Sequence, residues 1–173
     1  MNKQELIKTF SDNHYTVIAY IKALPEPHFS YRNHEKWTAG QQLKHILLTL
    51  LPFPRVLQSK DYMSQKFGSL QRTTWDYDTV RNNYLKTSRQ APSQFLPEEI
   101  LPAQKEGLIA QLEEVIATIN QLFVLYNEEE LDNLVLPHPL LGKLSIREMF
   151  FLMSYHPLHH LNQIKENLVS FNQ

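Results

Sequence analysis

The chain has 173 residues, an apolar fraction of 42%, and 17 lysines and arginines against 18 acidic residues. This length and composition fit one soluble globular domain, which we expect to span residues 1–173. The net charge is close to zero and the basic residues are scattered along the chain, unlike the basic patch of a nucleic-acid-binding protein. We therefore expect no nucleic-acid partner.

The sequence also bears on the cellular compartment. Residues 1–10 carry charges and lack the apolar core of a secretory signal, and the longest apolar stretch, 45–53, is too short to cross a membrane. The chain contains no cysteine, so it can form neither a disulfide nor a thiolate metal ligand. We expect a cytoplasmic protein without a membrane partner, in which any metal is bound by nitrogen or oxygen ligands.

Four stretches of the chain have apolar residues every three or four positions, which predicts four amphipathic helices. The expected helices cover about 3–24, 38–58 and 103–128, and a fourth begins after Ser145. Prolines at positions 52 and 54 should kink the second helix or end it early.

Two of these helices begin with a sequence typical of a capping box. Thr38 is followed by Gln41 at the start of the second helix, and Ser145 is followed by Glu148 at the start of the fourth. In such a box the two side chains bond the free backbone N–H groups of the first helical turn. The pattern therefore predicts where both helices begin.

The connection between the second and third helices, 59–102, is long and mostly irregular, with room for a short helix around 78–88. Connections of this length inside a domain usually cover or shape a site. The segment 134–143 reads as an ordinary loop. Together these features predict an all-α fold, a four-helix bundle with a long crossover connection between helices 2 and 3.

The fourth helix has polar residues at positions where a bundle would normally place apolar ones. Burying an unpaired polar group costs about 1–3 kcal/mol, so these side chains need partners. A metal ion would be a partner for two imidazoles at once. The face that carries them consists of Ile146, Met149, Met153, His156, His160, Gln163 and Asn167.

His156 and His160 are four residues apart, which places both imidazoles on one helix face with Cβ atoms about 5–6 Å from each other. Helical zinc sites use this spacing. With eight histidines in the chain, such a pair also arises by chance about one time in three. The alternative is that both are hydrogen-bonded core or surface histidines, but their position on the inner face favours metal ligands.

A third ligand is needed, and His45 is the best candidate because it lies in the middle of the second helix among apolar residues. His14 in the first helix is its rival. His159 turns about 100° away from His160 on the helix, and we expect it outside the site. His138 lies in a loop, where an exposed or turn-stabilising imidazole is more common. Whether His14, His138 or His159 joins the site stays open at this stage.

Two blocks of the sequence resemble the DinB-like superfamily. Residues 37–45, from Trp37-Thr-Ala-Gly to His45, are similar to the family's Trp-Ser/Thr helix start with a metal histidine two turns later. Residues 138–163 are similar to its ending, a His-Pro and a Gly-Lys followed by His-x-x-x-His-x-x-Gln. The resemblance implies that His45, His156 and His160 bind one divalent metal ion.

The DinB-like superfamily groups metal-dependent hydrolases with bacillithiol- and mycothiol-dependent transferases and isomerases. A metal on three neutral imidazoles keeps an open position, where it can lower the pKa of a bound water to about 7 or hold a thiolate. We therefore predict a hydrolase or a low-molecular-weight-thiol S-transferase acting on a small molecule, with zinc or nickel as the metal. Gln163 should either orient the bound water or ligand, or bond a histidine.

Neither Glu148 nor Glu166 has a position expected of a general base beside the histidines, which favours a thiolate over water as the nucleophile. The alternative function is a non-catalytic metal-binding stress-response protein, or a bundle that binds a small molecule. Four protein ligands without a cleft would favour that alternative, because structural zinc normally has four protein ligands. A homodimer is compatible with a bundle of this size.

Overall fold

The computed structural model describes residues 1–87 and 91–171, and most of them are helical. The α-helices are α1 (Lys3–Ala23), α2 (Glu26–Ser30), α3 (Ala39–Leu50), α4 (Phe53–Leu57), α5 (Lys60–Phe67), α6 (Tyr77–Leu85), α7 (Lys105–Phe123), α8 (Glu128–Asn133) and α9 (Ile146–Val169). Two 3-10 helices (Ser93–Phe95 and Pro102–Gln104) and two strands, β1 (Val135–His138) and β2 (Gly142–Ser145), complete the described elements. None of the described helices is both long and apolar enough to cross a bilayer.

The long helices α1, α3, α7 and α9 pack against one another and enclose the core. Helix α1 contacts α7 and α9, and α3 contacts the same two helices. Their inward faces supply most of the fully buried side chains, each of which stabilises the fold by about 1.5–3 kcal/mol relative to its exposed state. Examples are Leu6, Phe10, Ile21, Leu43, Ile46, Leu47, Leu112, Ile116, Phe123 and Phe150.

Both predicted capping boxes are present. The backbone N–H of Gln41 donates to the Thr38 hydroxyl at 3.1 Å, and the Gln41 side chain accepts from the Thr38 N–H at 3.1 Å. Ser145 and Glu148 make the equivalent pair, at 3.1 and 2.8 Å. These bonds fix where α3 and α9 begin. They therefore also fix the position of each histidine along its helix.

The second predicted helix is shorter than expected. Helix α3 ends at Leu50, just before Pro52, and the short α4 follows. This agrees with the expectation that the prolines would end the helix early, because a proline ring clashes with the preceding turn and has no N–H to donate. The third predicted helix is also shorter than expected, since α7 ends at Phe123, and a separate helix, α8, begins after Asn127.

The connection between α3 and α7 contains more regular structure than predicted. Helix α6 matches the short helix expected there, but α5 was not predicted. Helix α5 has only eight residues, and its inward face has just Met63 and Phe67, which is too few apolar positions for periodicity to detect. Its start is capped instead by the Ser59 hydroxyl, which accepts from the N–H of Tyr62 at 3.2 Å.

The prediction of a loop at 134–143 was wrong, because this segment forms a β-hairpin. Strands β1 and β2 are antiparallel, and Val135 pairs with Ser145 while His138 pairs with Gly142. Gly142 has a φ of +74°, a conformation that glycine adopts without steric cost. The fold therefore includes a small two-stranded sheet beside its helices.

Glu148 has a structural role that the sequence did not reveal. Its carboxylate is fully buried and accepts two hydrogen bonds from Arg72, at 2.7 and 2.9 Å. The same carboxylate accepts from the backbone N–H groups of Trp75 and Ser145, and the Arg72 guanidinium stacks 3.5 Å from the Trp75 ring centre. This bidentate ion pair connects the segment before α6 to the start of α9.

Candidate metal centre

His45, His156 and His160 meet where α3 packs against α9. His45 lies in the second half of α3, and His156 and His160 lie one turn apart in α9. One ligand nitrogen from each ring lies within 4.8 Å of the other two. The structure thus brings together the three residues that the sequence selected, and such a group can bind a metal ion.

The distances within this group suit a small metal ion. Nε2 of His156 lies 3.3 Å from Nε2 of His45 and 3.0 Å from Nε2 of His160. Two nitrogens bound at about 2.0–2.1 Å to one tetrahedral zinc ion lie about 3.3–3.4 Å apart. The two distances from His156 are therefore close to the distance between two nitrogens that share one metal ion, and all three rings lie within 4.8 Å of one another at a ligand nitrogen.

Hydrogen bonds to Nδ1 of His45 and of His160 determine the tautomer of each ring. The tautomer in turn determines whether Nε2, which faces the other two histidines, has a free lone pair. Nδ1 of His45 donates to the carbonyl oxygen of Phe95 at 2.7 Å, and Nδ1 of His160 donates to the side-chain oxygen of Gln42. A neutral imidazole has one N–H, so Nε2 of both rings is an acceptor. Partners of this kind fix the tautomer and orientation of metal-binding histidines.

The electrostatics of the group keep the rings neutral. Burial lowers the pKa of His45, and it lowers the pKa of His156 and His160 well below the ordinary value. Histidine must be neutral to bind a metal. All three rings are therefore in the binding form at neutral pH, before any metal is considered.

A divalent cation would satisfy the three ring nitrogens better than hydrogen bonds among the rings can. The Nε2 atoms of His45 and His160 are both acceptors, and one N–H on Nε2 of His156 can satisfy only one of them. A cation at the centre would pair with all three lone pairs at once. Imidazole nitrogen is a good ligand for zinc, copper, iron and nickel.

The other candidate histidines lie outside this group. His14 is buried on α1, and its Nδ1 bonds the carbonyl of Phe10 at 2.7 Å. Nδ1 of His138 accepts from the backbone N–H groups of Leu140 and Leu141 at 3.3 and 3.2 Å, so this ring stabilises the hairpin turn. Burial lowers the pKa of both His14 and His138 to about 4.

Among the residues that the structure describes, no fourth histidine or carboxylate joins the group. His159 lies beside it, and its Nε2 is 3.0 Å from the side-chain nitrogen of Gln163. Gln163 thus bonds a histidine, which was one of its two expected roles, and its side chain also makes a hydrogen bond to His160 of the central three. Among the described residues the group therefore has three histidine members.

Two functional contacts were missed from the sequence. Gln42 lies three residues before His45, on the same face of the helix, and this spacing could have identified it as a partner of the site. The carbonyl of Phe95 could not have been found, because a backbone oxygen in an irregular connection leaves no signal in residue type. Trp37 packs close by, with its ring centre 5.0 Å from His45 and 6.4 Å from His160.

Two cavities adjoin the histidines. The first has a volume of about 260 Å³ and reaches His45 and His156. The second has a volume of about 500 Å³ and reaches His45 and His160. Tyr84 lines both, and its ring centre lies 6.0 Å from that of His156. A small molecule in either cavity would therefore lie beside the group.

A family model described as the DinB superfamily matches residues 9–164, which is most of the chain. The protein belongs to the DinB superfamily. The match covers α3, most of α9 and all three histidines of the group, and it confirms the resemblance found in the sequence. No match to this DinB-superfamily protein was found among curated proteins.

Proposed function

We propose that this DinB-superfamily protein is a metal-dependent enzyme that activates a low-molecular-weight thiol or water on a divalent ion bound by His45, His156 and His160. The observation that carries the proposal is the convergence of the three Nε2 atoms, two of them held as acceptors by Phe95 and Gln42. We also propose that α1, α3, α7 and α9 form a four-helix bundle, with 51–104 as its crossover connection.

Three protein ligands favour a catalytic role over a structural one. Structural zinc sites are usually closed by four protein ligands, whereas catalytic sites keep one position open. Within the described part of the chain the group has three members, and two cavities adjoin it. These features support an enzyme rather than the alternative, a non-catalytic metal-binding or stress-response protein.

The surroundings of the group favour a thiol over water as the nucleophile. When bound, the metal would supply a Lewis acid that lowers the pKa of a coordinated thiol or water. Hydrolysis usually also needs a general base beside the nucleophile. The carboxylates that line the adjoining cavity, Glu35 and Glu166, are solvent-exposed, while Glu148 is committed to Arg72. A thiolate, which is nucleophilic without a base once formed, suits this site better.

The protein side chains around the group would orient the reaction. Phe95 and Gln42 hold two rings with their lone pairs inward, and Trp37 lies along the same two rings. A site held in this way loses little entropy when it binds its ligand. We propose zinc or nickel as the metal, because three neutral imidazoles suit both ions.

The experiment is a transfer assay with 1-chloro-2,4-dinitrobenzene as electrophile and bacillithiol or cysteine as thiol. Attack by sulfur forms a C–S bond and releases chloride, so turnover can be followed by absorbance. We expect thiol-dependent turnover that a chelator abolishes, that zinc or nickel restores, and that His160→Ala lacks. An ester substrate without thiol tests hydrolysis in parallel. Bound metal without turnover in either assay would instead support the non-catalytic alternative.

A further inference from the structure

The two cavities beside the histidine group differ sharply in chemistry. We define the apolar cavity as the one of about 260 Å³ that reaches His156, and the polar cavity as the one of about 500 Å³ that reaches His160. The residues that line both are His45, Tyr84, Ala91 and Leu140. The histidine group therefore stands at the boundary between two different environments.

The apolar cavity is lined mostly by apolar side chains. Of the 19 described residues that line it, 14 are apolar and none carries a formal charge at neutral pH, since burial keeps its histidines neutral. Its walls come from α3, α4, α5, α6, the β-hairpin, α9 and the segment around Phe95. Clefts that bind small molecules have this composition, with a few polar groups at one end.

The volume of the apolar cavity and the residues that line it indicate the kind of ligand that it binds. A volume of about 260 Å³ lies just below the range of roughly 300–1,000 Å³ typical of sites for drug-sized ligands. Met149 and Met153 form part of the wall, and methionine side chains adapt easily to different apolar shapes. The cavity therefore suits a compact uncharged group, such as one aromatic ring or a short branched chain.

The polar cavity offers hydrogen bonds and charges instead. Lys36, Glu35 and Glu166 line it, together with the side chains of Gln42 and Gln163. A charged or hydrogen-bonding end of a ligand keeps its interactions there, whereas in the apolar cavity it would lose them. The two ends of the site would thus select opposite chemical groups.

We propose that the apolar cavity binds the uncharged apolar part of a small-molecule substrate, while the polar cavity takes a hydrogen-bonding or charged group. What reacts between them rests on the proposed function, but binding in the apolar cavity does not require a metal. In a thiol transfer, the electrophile would occupy the apolar cavity, and the polar remainder of the thiol would occupy the other.

The four methionines of the chain allow a test by position. Met149 and Met153 line the apolar cavity, whereas Met63 is buried elsewhere and Met1 is exposed. We would titrate the full-length protein, labelled with ¹³C at its methionine methyl groups, with toluene. The proposal predicts saturable shifts of the Met149 and Met153 signals, with a Kd of about 1 mM or tighter, and unchanged Met1 and Met63 signals.

A matched pair of variants locates the binding site. Val56 and Val115 are both half-buried valines packed against the core, but only Val56 is among the described residues that line the apolar cavity. Val56→Gln should weaken toluene binding about tenfold, because its amide would need a polar partner in an apolar space. Val115→Gln should leave the affinity within about twofold of wild type.

The Met63 signal also reports whether Val56→Gln is folded. If it moves in that variant, Thr49→Val takes its place, since it removes a hydroxyl from the cavity wall at nearly constant volume and should tighten binding about twofold. Absent or non-saturable shifts of Met149 and Met153 would overturn the proposal, as would equal losses of affinity in the two glutamine variants.

The titration is run on both metal-free and zinc-loaded protein. Toluene binding in the metal-free protein, combined with no uptake of zinc, would refute the proposed function and leave the apolar site standing. Zinc uptake without toluene binding would do the reverse. The two claims therefore fail separately.

Discussion

The side-chain oxygen of Gln42 accepts a hydrogen bond from Nδ1 of His160, across the interface of α3 and α9. Both side chains are buried, so this bond is shielded from competing water. It selects the tautomer in which Nε2 of His160 faces His45 and His156 as an acceptor. One helix thus orients the ligand that the other helix provides.

Replacing Gln42 with leucine should weaken metal binding without unfolding the protein. Loss of a partner that orients a metal-binding histidine typically costs 10–100-fold in metal affinity, and leucine has a similar volume. Competition with a chromophoric chelator measures the change.

Gln121→Leu is the matched control for this variant. Gln121 is an exposed residue of α7 with no hydrogen bond to the three central rings, so the affinity of this variant for zinc should stay within about threefold of wild type. Equal affinities in the two variants would show that the Gln42 contact does not orient a ligand.

The starts of α3 and α9 could be predicted from the sequence because a capping box is a local pattern of two residues. The pair His156 and His160 could be predicted because helical spacing fixes which side chains share a face. His45 was selected mainly through the resemblance, since nothing local says which α3 residue faces α9. Its approach to His156 depends on how two distant helices pack.

Other features left no readable pattern in the sequence. Helix α5 has eight residues and buries only Met63 fully, and β1 is a four-residue strand that contains Pro137. The bond from His45 to the Phe95 carbonyl joins residues 50 positions apart through a backbone atom. Such contacts are decided by tertiary packing, which local periodicity does not encode.

The ion pair of Arg72 and Glu148 should contribute substantially to stability. The carboxylate is fully buried, and Arg72→Met would leave it with only its backbone partners at Trp75 and Ser145. Because a buried charge that loses its partner is costly, we expect a loss of about 2–3 kcal/mol in the free energy of unfolding, measured by urea denaturation.

Lys22→Met removes the cation of a solvent-exposed pair with Glu113 and provides the comparison. Exposed pairs contribute little because water screens them, so its unfolding midpoint should lie close to that of wild type. The importance of the Arg72 contact would be refuted if the two methionine variants were equally stable.

Buried His14 should make the protein less stable in mild acid. Burial lowers its pKa from 6.5 to about 4. Below pH 6.5 this histidine is therefore protonated in the unfolded chain, whereas in the folded chain it stays neutral down to about pH 4. Stability from this group is therefore complete above pH 6.5 and is lost as the pH falls toward 4. Between pH 7 and pH 5 the loss should be about 2 kcal/mol.

His14→Leu removes this titration and should flatten the pH dependence by that amount. The comparison is made on metal-free protein by urea denaturation at both pH values, so that proton competition at a metal does not contribute. His138 titrates in the same range but is unchanged in the variant. An identical loss of stability in wild type and His14→Leu would contradict the assignment.

The central claim is that His45, His156 and His160 bind one divalent metal ion. Elemental analysis of purified wild type, His160→Ala and His159→Ala, each loaded with zinc and desalted, tests it most directly. His159 neighbours the group without belonging to it, so that variant controls for the loss of a nearby imidazole. We predict about one zinc per chain in wild type and His159→Ala, as one three-nitrogen site requires, and almost none in His160→Ala. Equal zinc in wild type and His160→Ala would contradict the account.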